Sequence, residues 1–366
     1  MRAPNYWEYI RIEELLGLQG GLEGDESQLG NDEVLFITVH QVYELWFKLI
    51  LREMGSLRDL FRSDPVAEQE LSSSVRSIKR VVVLMRRCVD HFEVMETLST
   101  REYLAFRDKL TPASGFQCAQ MRQIEILMGL RDEDRIPLGV GESYEEALRA
   151  HDGSFSPALR RVRAQKEDRP TLVDAVESWI FRTPIDGSPP GDEDAEATLD
   201  RFVETYAEAQ GAEIDRTCEL ALARAMTEED KQALRDRYAK EKQSIGAFLD
   251  PTEERGGARR RRIRAAMLFI LSYRELPLLA WPREVLDGLI ELEQTFLIFR
   301  QRHARMVERV IGRRVGTGGS AGVEYLDQTA LSYRVFHDLW AVRTFQIRAE
   351  AIPPLENAQY YAFRSG

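Results

Sequence analysis

Apolar residues in this chain recur at spacings of three and four over long stretches, and almost nowhere do they alternate one by one. A period near 3.6 lines one side of a helix, whereas a strand needs a period of two, so the pattern constrains the fold before any single residue is considered. It predicts helices over about 31–62, 74–98, 100–109, 115–130, 200–223, 227–245, 258–275, 282–312 and 323–346. Asn31 and Asp32 are suited to cap the first long helix, and Pro282 suits the first turn of the penultimate one. Short breaks, TPASG (111–115) and GTGGSAG (316–322), separate long helices. The expected class is all-α, as a single large helical domain spanning 1–366, with no repeat at solenoid periods.

The segment TPIDGSPPGDEDAEATLD (183–200) is rich in proline, glycine and acid and reads as an exposed loop inside that domain. The one strong basic run, EERGGARRRRIRAA (253–266), suits either a phosphate or membrane contact or a solvated helix start with acids nearby. The net charge of −11, from 50 basic and 61 acidic residues, disfavours a nucleic-acid surface. MRAPNYWEYIRIEELL has no apolar run of signal-peptide type, and AAMLFILSY (265–273) is too short to cross a bilayer. No membrane partner is therefore expected. Cys88, Cys118 and Cys218 form no CxxC or CxxCH pattern, so a disulfide framework, a zinc ribbon and covalent haem attachment are all unsupported. A reducing cytoplasm is the expected compartment.

Four segments carry candidate chemistry. In LFITVHQVYELWFKLI (35–50), Phe36, His40, Tyr43 and Phe47 share one helical face, and Glu44 lies one turn beyond His40, where it could orient the ring. His40 is then either a satisfied core histidine or one that faces a cavity. In STREYLAFRDKLTPASGFQ (99–117), Tyr103 and Arg107 lie four apart beside Leu104 and Phe106. An arginine on such a face takes a carboxylate, whether an internal acid or a ligand's. In FRQRHARMVERVIG (299–312), His303 sits with Phe299, Val307 and Val310, as an axial haem ligand or as a satisfied histidine. Arg300, Arg302, Arg305 and Arg309 suit haem propionates and surface acids equally. RRVGTGGSAGVEYL (313–326) has neither the lysine nor the preceding strand of a phosphate loop, and fits better as a loop closing over a small molecule, with Thr317 and Ser320 as polar contacts. A di-iron bundle would need Glu-x-x-His, which EVMETLS (93–99) does not supply.

Together these segments resemble the haem-dependent tryptophan 2,3-dioxygenases. FITVHQVYELWFKLILREM is similar to that family's distal helix, REYLAFRDKLTPASGFQ to its substrate-carboxylate segment, and RHARMVERVIG followed by GTGGSAGVEYL to its proximal-histidine helix and glycine-rich loop. YWEYIRIEELL matches the N-terminal segment, within residues 1–30, that in the family enters a neighbouring subunit's site. The likeness runs through most of the chain in order and is weakest over about 140–255, a divergent helical insertion that contains the acidic loop.

The resemblance implies a helical domain built around a non-covalent b-type haem, ferrous iron protoporphyrin IX, with His303 as the proximal iron ligand. It places Ser114 near a propionate and Gly316 and Gly318 in the loop beside the cofactor. His40 would accept the indole N–H, and Arg107 with Tyr103 would bind the amino-acid carboxylate. Thr317 would meet the ammonium and carboxylate end, and Phe36 would pack on the indole. Tyr6, Tyr9 and Ile10 would come from an adjacent protomer of a homotetramer. Phe92 stands where the family often has a tryptophan near the haem or its edge, which removes an N–H donor. The implied activity is cleavage of the indole C2–C3 bond of L-tryptophan, or a derivative, by O2 to give N-formylkynurenine. A related oxygenase inserting one oxygen atom to form an oxindole, and a non-catalytic haem sensor, are the alternatives.

Overall fold

A computed structural model describes residues 5–110, 117–137, 144–150, 152–251, 256–314 and 322–362. Among these residues there is no strand, only an isolated bridge between Ile185 and Ser188. The chain divides into two compact units. Three of the five boundaries fall inside long helices, α3 (Asn31–Arg62), α4 (Glu68–Met95) and α13 (Ala280–Ile311). The first and last of these match their predicted bounds to within two residues, because strong periodicity and acidic first-turn or proline signals coincide there.

The first unit holds residues 1–55, 80–169 and 294–333. Its shorter helices are α1 (Tyr6–Tyr9), α2 (Ile12–Leu16), α5 (Thr100–Leu110), α6 (Ala119–Met128), α7 (Tyr144–Ala147), α8 (Pro157–Glu167) and α14 (Val323–Ser332). Aromatic side chains from α3, α4 and α13 interlock in its core. Ring centroids lie 5.3 Å apart for Tyr43 and Phe92, 5.2 Å for Phe92 and Phe299, and 6.0 Å for Phe47 and Phe299. The buried Tyr43 hydroxyl donates to the Cys88 carbonyl at 3.1 Å. A smaller cluster of Ile126, Leu148, Leu159 and Val162 packs α8 on α6. Lys109 on α5 ties Glu23 and Glu33 at 2.9 Å each, and Gln41 on α3 donates to the Leu18 carbonyl at 2.8 Å. These contacts fasten residues 18–23 to the unit, while α1 projects Tyr6 and Tyr9 into solvent, 76% and 77% exposed.

The second unit holds residues 56–79, 170–293 and 334–366. Its further helices are α9 (Leu172–Phe181), α10 (Ala195–Leu222), α11 (Glu228–Leu249), α12 (Gly257–Ser272) and α15 (His337–Ala341). Every residue of α12 from Arg262 to Ser272 is buried, which explains why its sequence shows an apolar run with no polar stripe. The arginines of the basic run at its start find acids nearby, as one of the two readings of that run expected, but Arg262 and Arg264 are buried rather than solvated. Arg260 and Arg264 pair with Asp338 at 3.0 Å each, Arg261 pairs with Asp200 at 2.6 Å, and Arg259 donates to Ser178. Arg262 caps the carbonyls of Phe181 and Ser188.

The stretch 183–200 is not the exposed loop its composition predicts. Ile185, Asp186 and Ser188 are buried, and only residues 191–194 form an exposed tip before α10 begins. The reason is hydrogen bonding. Asp186 accepts from the backbone N–H groups of Glu356 and Asn357 at 3.1 and 2.8 Å, and the Tyr361 hydroxyl donates to the Pro184 carbonyl at 2.8 Å.

The predicted helix over 323–346 is also corrected, since it breaks between Ser332 and His337. Glu293 of α13, 1% exposed, accepts from Val335 N at 2.6 Å, Phe336 N at 3.2 Å and Trp340 Nε1 at 2.5 Å. A buried carboxylate facing the free N–H groups at the start of α15 favours a new helix start there over continuation. Helices α8 and α9 were absent from the periodicity reading, yet both carry start signals: Ser156 followed by Pro157, and a capping box of Thr171 with Asp174. Glu293→Gln is expected to lower the unfolding free energy by about 2 kcal/mol, because it leaves buried N–H groups poorly paired. An unchanged urea midpoint would remove the carboxylate as the cause of the helix break.

Candidate functional site

Within the first unit, a cavity of about 260 Å³ lies among α3, α4, α5, α6, α13 and α14. His40 and Tyr43 line it from α3, Phe92 and Met95 from α4, Tyr103 from α5, Met121 and Arg122 from α6, Phe299, Arg300, His303 and Val307 from α13, and Leu326 and Thr329 from α14. Both inward histidines thus open onto one space.

His40 has its Nδ1 2.7 Å from the Phe36 carbonyl. A carbonyl oxygen can only accept, so Nδ1 carries the proton and a neutral ring leaves Nε2 as an acceptor. The ring is solvent-accessible through the cavity while protein surrounds it on its other sides, and that burial lowers its pKa against the opposing effects of the Phe36 carbonyl and the Glu44 charge. Glu44 does not orient His40 by a hydrogen bond, as its position one turn away suggested. Its carboxylate instead accepts from Gln120 Nε2 at 2.6 Å and lies against the Cys118 thiol.

His303 has no hydrogen-bond partner among the described residues. Phe92 stacks on its ring with centroids 5.5 Å apart and an interplanar angle of 7°, and Phe299 flanks it at 6.1 Å. Burial first, and then His40, Arg300 and Arg122, pull its pKa down to about 4. At neutral pH it is an uncharged imidazole with a free lone pair. Among the described residues no three His, Cys, Asp or Glu side chains converge to hold a bare metal ion. One unpartnered imidazole in a largely aromatic and aliphatic wall suits a metal that arrives with most of its own donors, as the iron of haem does.

Phe36 and Arg107 stand behind the wall and do not form it. Phe36 lies 4.1 Å from the His40 ring, 6.0 Å from Tyr103 and 5.5 Å from Phe106, centroid to centroid. Tyr103 is buried at the cavity edge, and its hydroxyl is hydrogen-bonded to half-buried Arg107. Burial raises the Tyr103 pKa against the Arg107 charge, so the phenol stays protonated. Tyr6, Tyr9 and Ile10 are exposed and line no part of their own chain's cavity. Ser114, Gly316, Thr317, Gly318 and Ser320 lie outside the described residues.

Sequence reasoning assigned no site role to Arg122, Met121, Cys118 or the inner face of α14, and it left Arg300 open. Arg300 Nη2 lies 2.9 Å from Glu125, Arg302 pairs with Glu96, and Arg305 pairs with Asp327 and Glu308. The acids therefore take all three of these arginines. A signal for Arg122 was present: it and Glu125 lie three apart in QMRQIEILM, a charged pair inside an apolar helix, and such a pair demands internal partners.

The profile of the tryptophan 2,3-dioxygenase family matches residues 2–346. The tryptophan 2,3-dioxygenase of Sorangium cellulosum (strain So ce56) is 55% identical over 98% of this chain and 87% of its own length. Tryptophan 2,3-dioxygenase 2 of Ralstonia nicotianae is 50% identical over 99% of this chain and 98% of its own. A tryptophan 2,3-dioxygenase-like protein of Xanthomonas campestris pv. campestris (strain 8004) is 49% identical over 73% of this chain and 98% of its own. A family profile spanning nearly the whole chain, with relatives at this identity over full length, leads to one conclusion: the chain belongs to the tryptophan 2,3-dioxygenase family.

Proposed function

We propose that this chain is a haem-dependent dioxygenase that opens the indole ring of L-tryptophan at C2–C3 with O2 to give N-formylkynurenine. The observation that carries the reading is the pair of neutral histidines facing one aromatic-walled cavity, with Tyr103 at its edge and Arg107 hydrogen-bonded to Tyr103 behind it. Haem b held through His303 would supply the ferrous iron at which O2 is activated. The protein's share of the work is binding, orientation and exclusion of water.

His40 Nε2 is the acceptor suited to the indole N–H, because Nδ1 is already committed to the Phe36 carbonyl. That bond restrains the rotation of the His40 ring. Phe36, in contact with His40, Tyr103 and Phe106, backs the wall residues that would face the aromatic ring. Arg107 offers a planar guanidinium to the amino-acid carboxylate, and the Tyr103 hydroxyl holds that guanidinium in place. Thr317 is assigned to the ammonium and carboxylate end, and Ser114, Gly316 and Gly318 to the cofactor's surroundings, on the family's pattern alone. Phe92 contributes the flat face on which His303 stacks.

The exposed aromatic arm of α1 supports a homo-oligomer in which Tyr6, Tyr9 and Ile10 complete a neighbour's site. Large aromatic surfaces of this kind usually mark a covered face. A homotetramer is the form the family suggests.

Mass spectrometry of the product formed under 18O2 tests the reaction: two labelled atoms are expected, and a single one would assign an oxindole-forming oxygenase instead. Arg107→Ala should raise KM for tryptophan by at least about tenfold, since a hydrogen bond to a charged group contributes roughly 1.5–3 kcal/mol. The same change should leave the KM for an indole lacking the carboxylate little altered. Equal losses for both substrates would place Arg107 elsewhere. Because His40 is held neutral by burial, its acceptor is lost only as pH falls through a value below the ordinary histidine one of about 6.5. The acid limb of kcat/KM should accordingly lie below pH 6.5. A limb at or above that pH, or one unmoved in His40→Ala, would remove His40 as the acceptor.

A further inference from the structure

Glu125 on α6 has a side chain only 1% exposed and is approached by three guanidiniums: Arg122 at 2.8 Å, Arg135 at 2.6 Å and Arg300 at 2.9 Å. Those arginine side chains are themselves 9%, 6% and 13% exposed. Burial pushes the Glu125 carboxyl up, but the guanidiniums together outweigh it and hold it ionised far below the usual carboxylate range. One negative charge against three positive leaves a surplus in a low-dielectric setting, where such a surplus is costly. Asp132, 3.4 Å from Arg135 Nε, relieves it only in part, because it is 60% exposed and also pairs with Lys166 at 2.8 Å. Arg122 Nε and two nitrogens of Arg135 remain buried without hydrogen bonds.

Two of the three cations, Arg122 and Arg300, line the cavity wall beside His303, and Arg300 sits one helical turn before it. A carboxylate next to a metal-bound imidazole makes it a stronger donor and stabilises the oxidised metal. Here the neighbours are cationic. We propose that the Arg122–Glu125–Arg135–Arg300 cluster is an electrostatic control element that favours the ferrous state of the iron assigned to His303, with Glu125 as the shared counter-charge that sets the size of the surplus. This rests on the haem reading above. Taking up one electron lowers the positive charge at the iron by one, with no covalent bond made or broken, so a nearby surplus of positive charge favours the reduced side of the couple.

The test is a potentiometric titration of the haem-loaded full chain with dithionite and ferricyanide, followed by absorption. Arg122→Met should shift the ferrous-to-ferric ratio at fixed ambient potential about tenfold toward ferric, which is about 59 mV for a one-electron couple. Arg122→Lys, which keeps the charge, should stay within about twofold of the unmodified chain. Glu125→Gln should move the ratio toward ferrous, and Arg122→Met combined with Glu125→Gln should return it near the starting value. Haem content at one per chain confirms that each variant is folded, and the Arg122 pair alone decides the matter should Glu125→Gln fail to fold. Equal ratios for Arg122→Met and Arg122→Lys at full haem content would overturn this inference and leave the haem reading standing. A chain that takes up no haem would overturn both.

Discussion

An uncharged imidazole with nothing to bond inside a protein wall is the constraint on which the site depends. His303 is partly exposed to the cavity with Phe92 and Phe299 beside it, its pKa is driven to about 4, and no described side chain takes its nitrogen. A neutral imidazole nitrogen without a protein partner at a cavity wall is available to a ligand. The cavity in front of the ring, faced from the other side by His40, is where such a ligand belongs. The aromatic interlock of Tyr43, Phe92 and Phe299 then has a second purpose beyond stability. It holds the two histidine helices, α3 and α13, so that their rings open onto the same volume.

Charge is handled differently in the two units. In the second unit the arginines at the start of α12 are matched to acids and carbonyls, and the buried carboxylate of Glu293 is matched to N–H donors, so each group serves to fix a turn or a helix end. In the first unit Glu125 is outnumbered by arginines, two of which border the cavity. An unbalanced cluster is harder to justify as scaffolding than a balanced one, and its position beside His303 gives it a task.

Much of this was legible in the sequence, for identifiable reasons. Helices α3 and α13 announce themselves because each buries a continuous apolar stripe for thirty-two residues, and each stripe carries one histidine. Tyr103 with Arg107 was readable because a four-residue spacing brings two such side chains into contact. What escaped depended on partners distant in sequence. The break after Ser332 is set by Glu293, some forty residues earlier, and the packing of 183–190 is set by Asn357 and Tyr361. Composition marked that segment as a loop and was correct about its irregularity, but solvent exposure depends on which groups lie across from it. The surplus charge around Glu125 was equally hidden, since Arg135 and Arg300 come from other parts of the chain.

Titrating haemin into the purified chain and into His303→Ala, with absorption spectra before and after reduction, tests whether His303 alone among the side chains would hold one haem iron. One haem per chain is expected in the parent, with a five-coordinate ferrous spectrum, and loss of that species in the variant. A parent chain that stays colourless, or a variant with the same stoichiometry and spectrum, would contradict it.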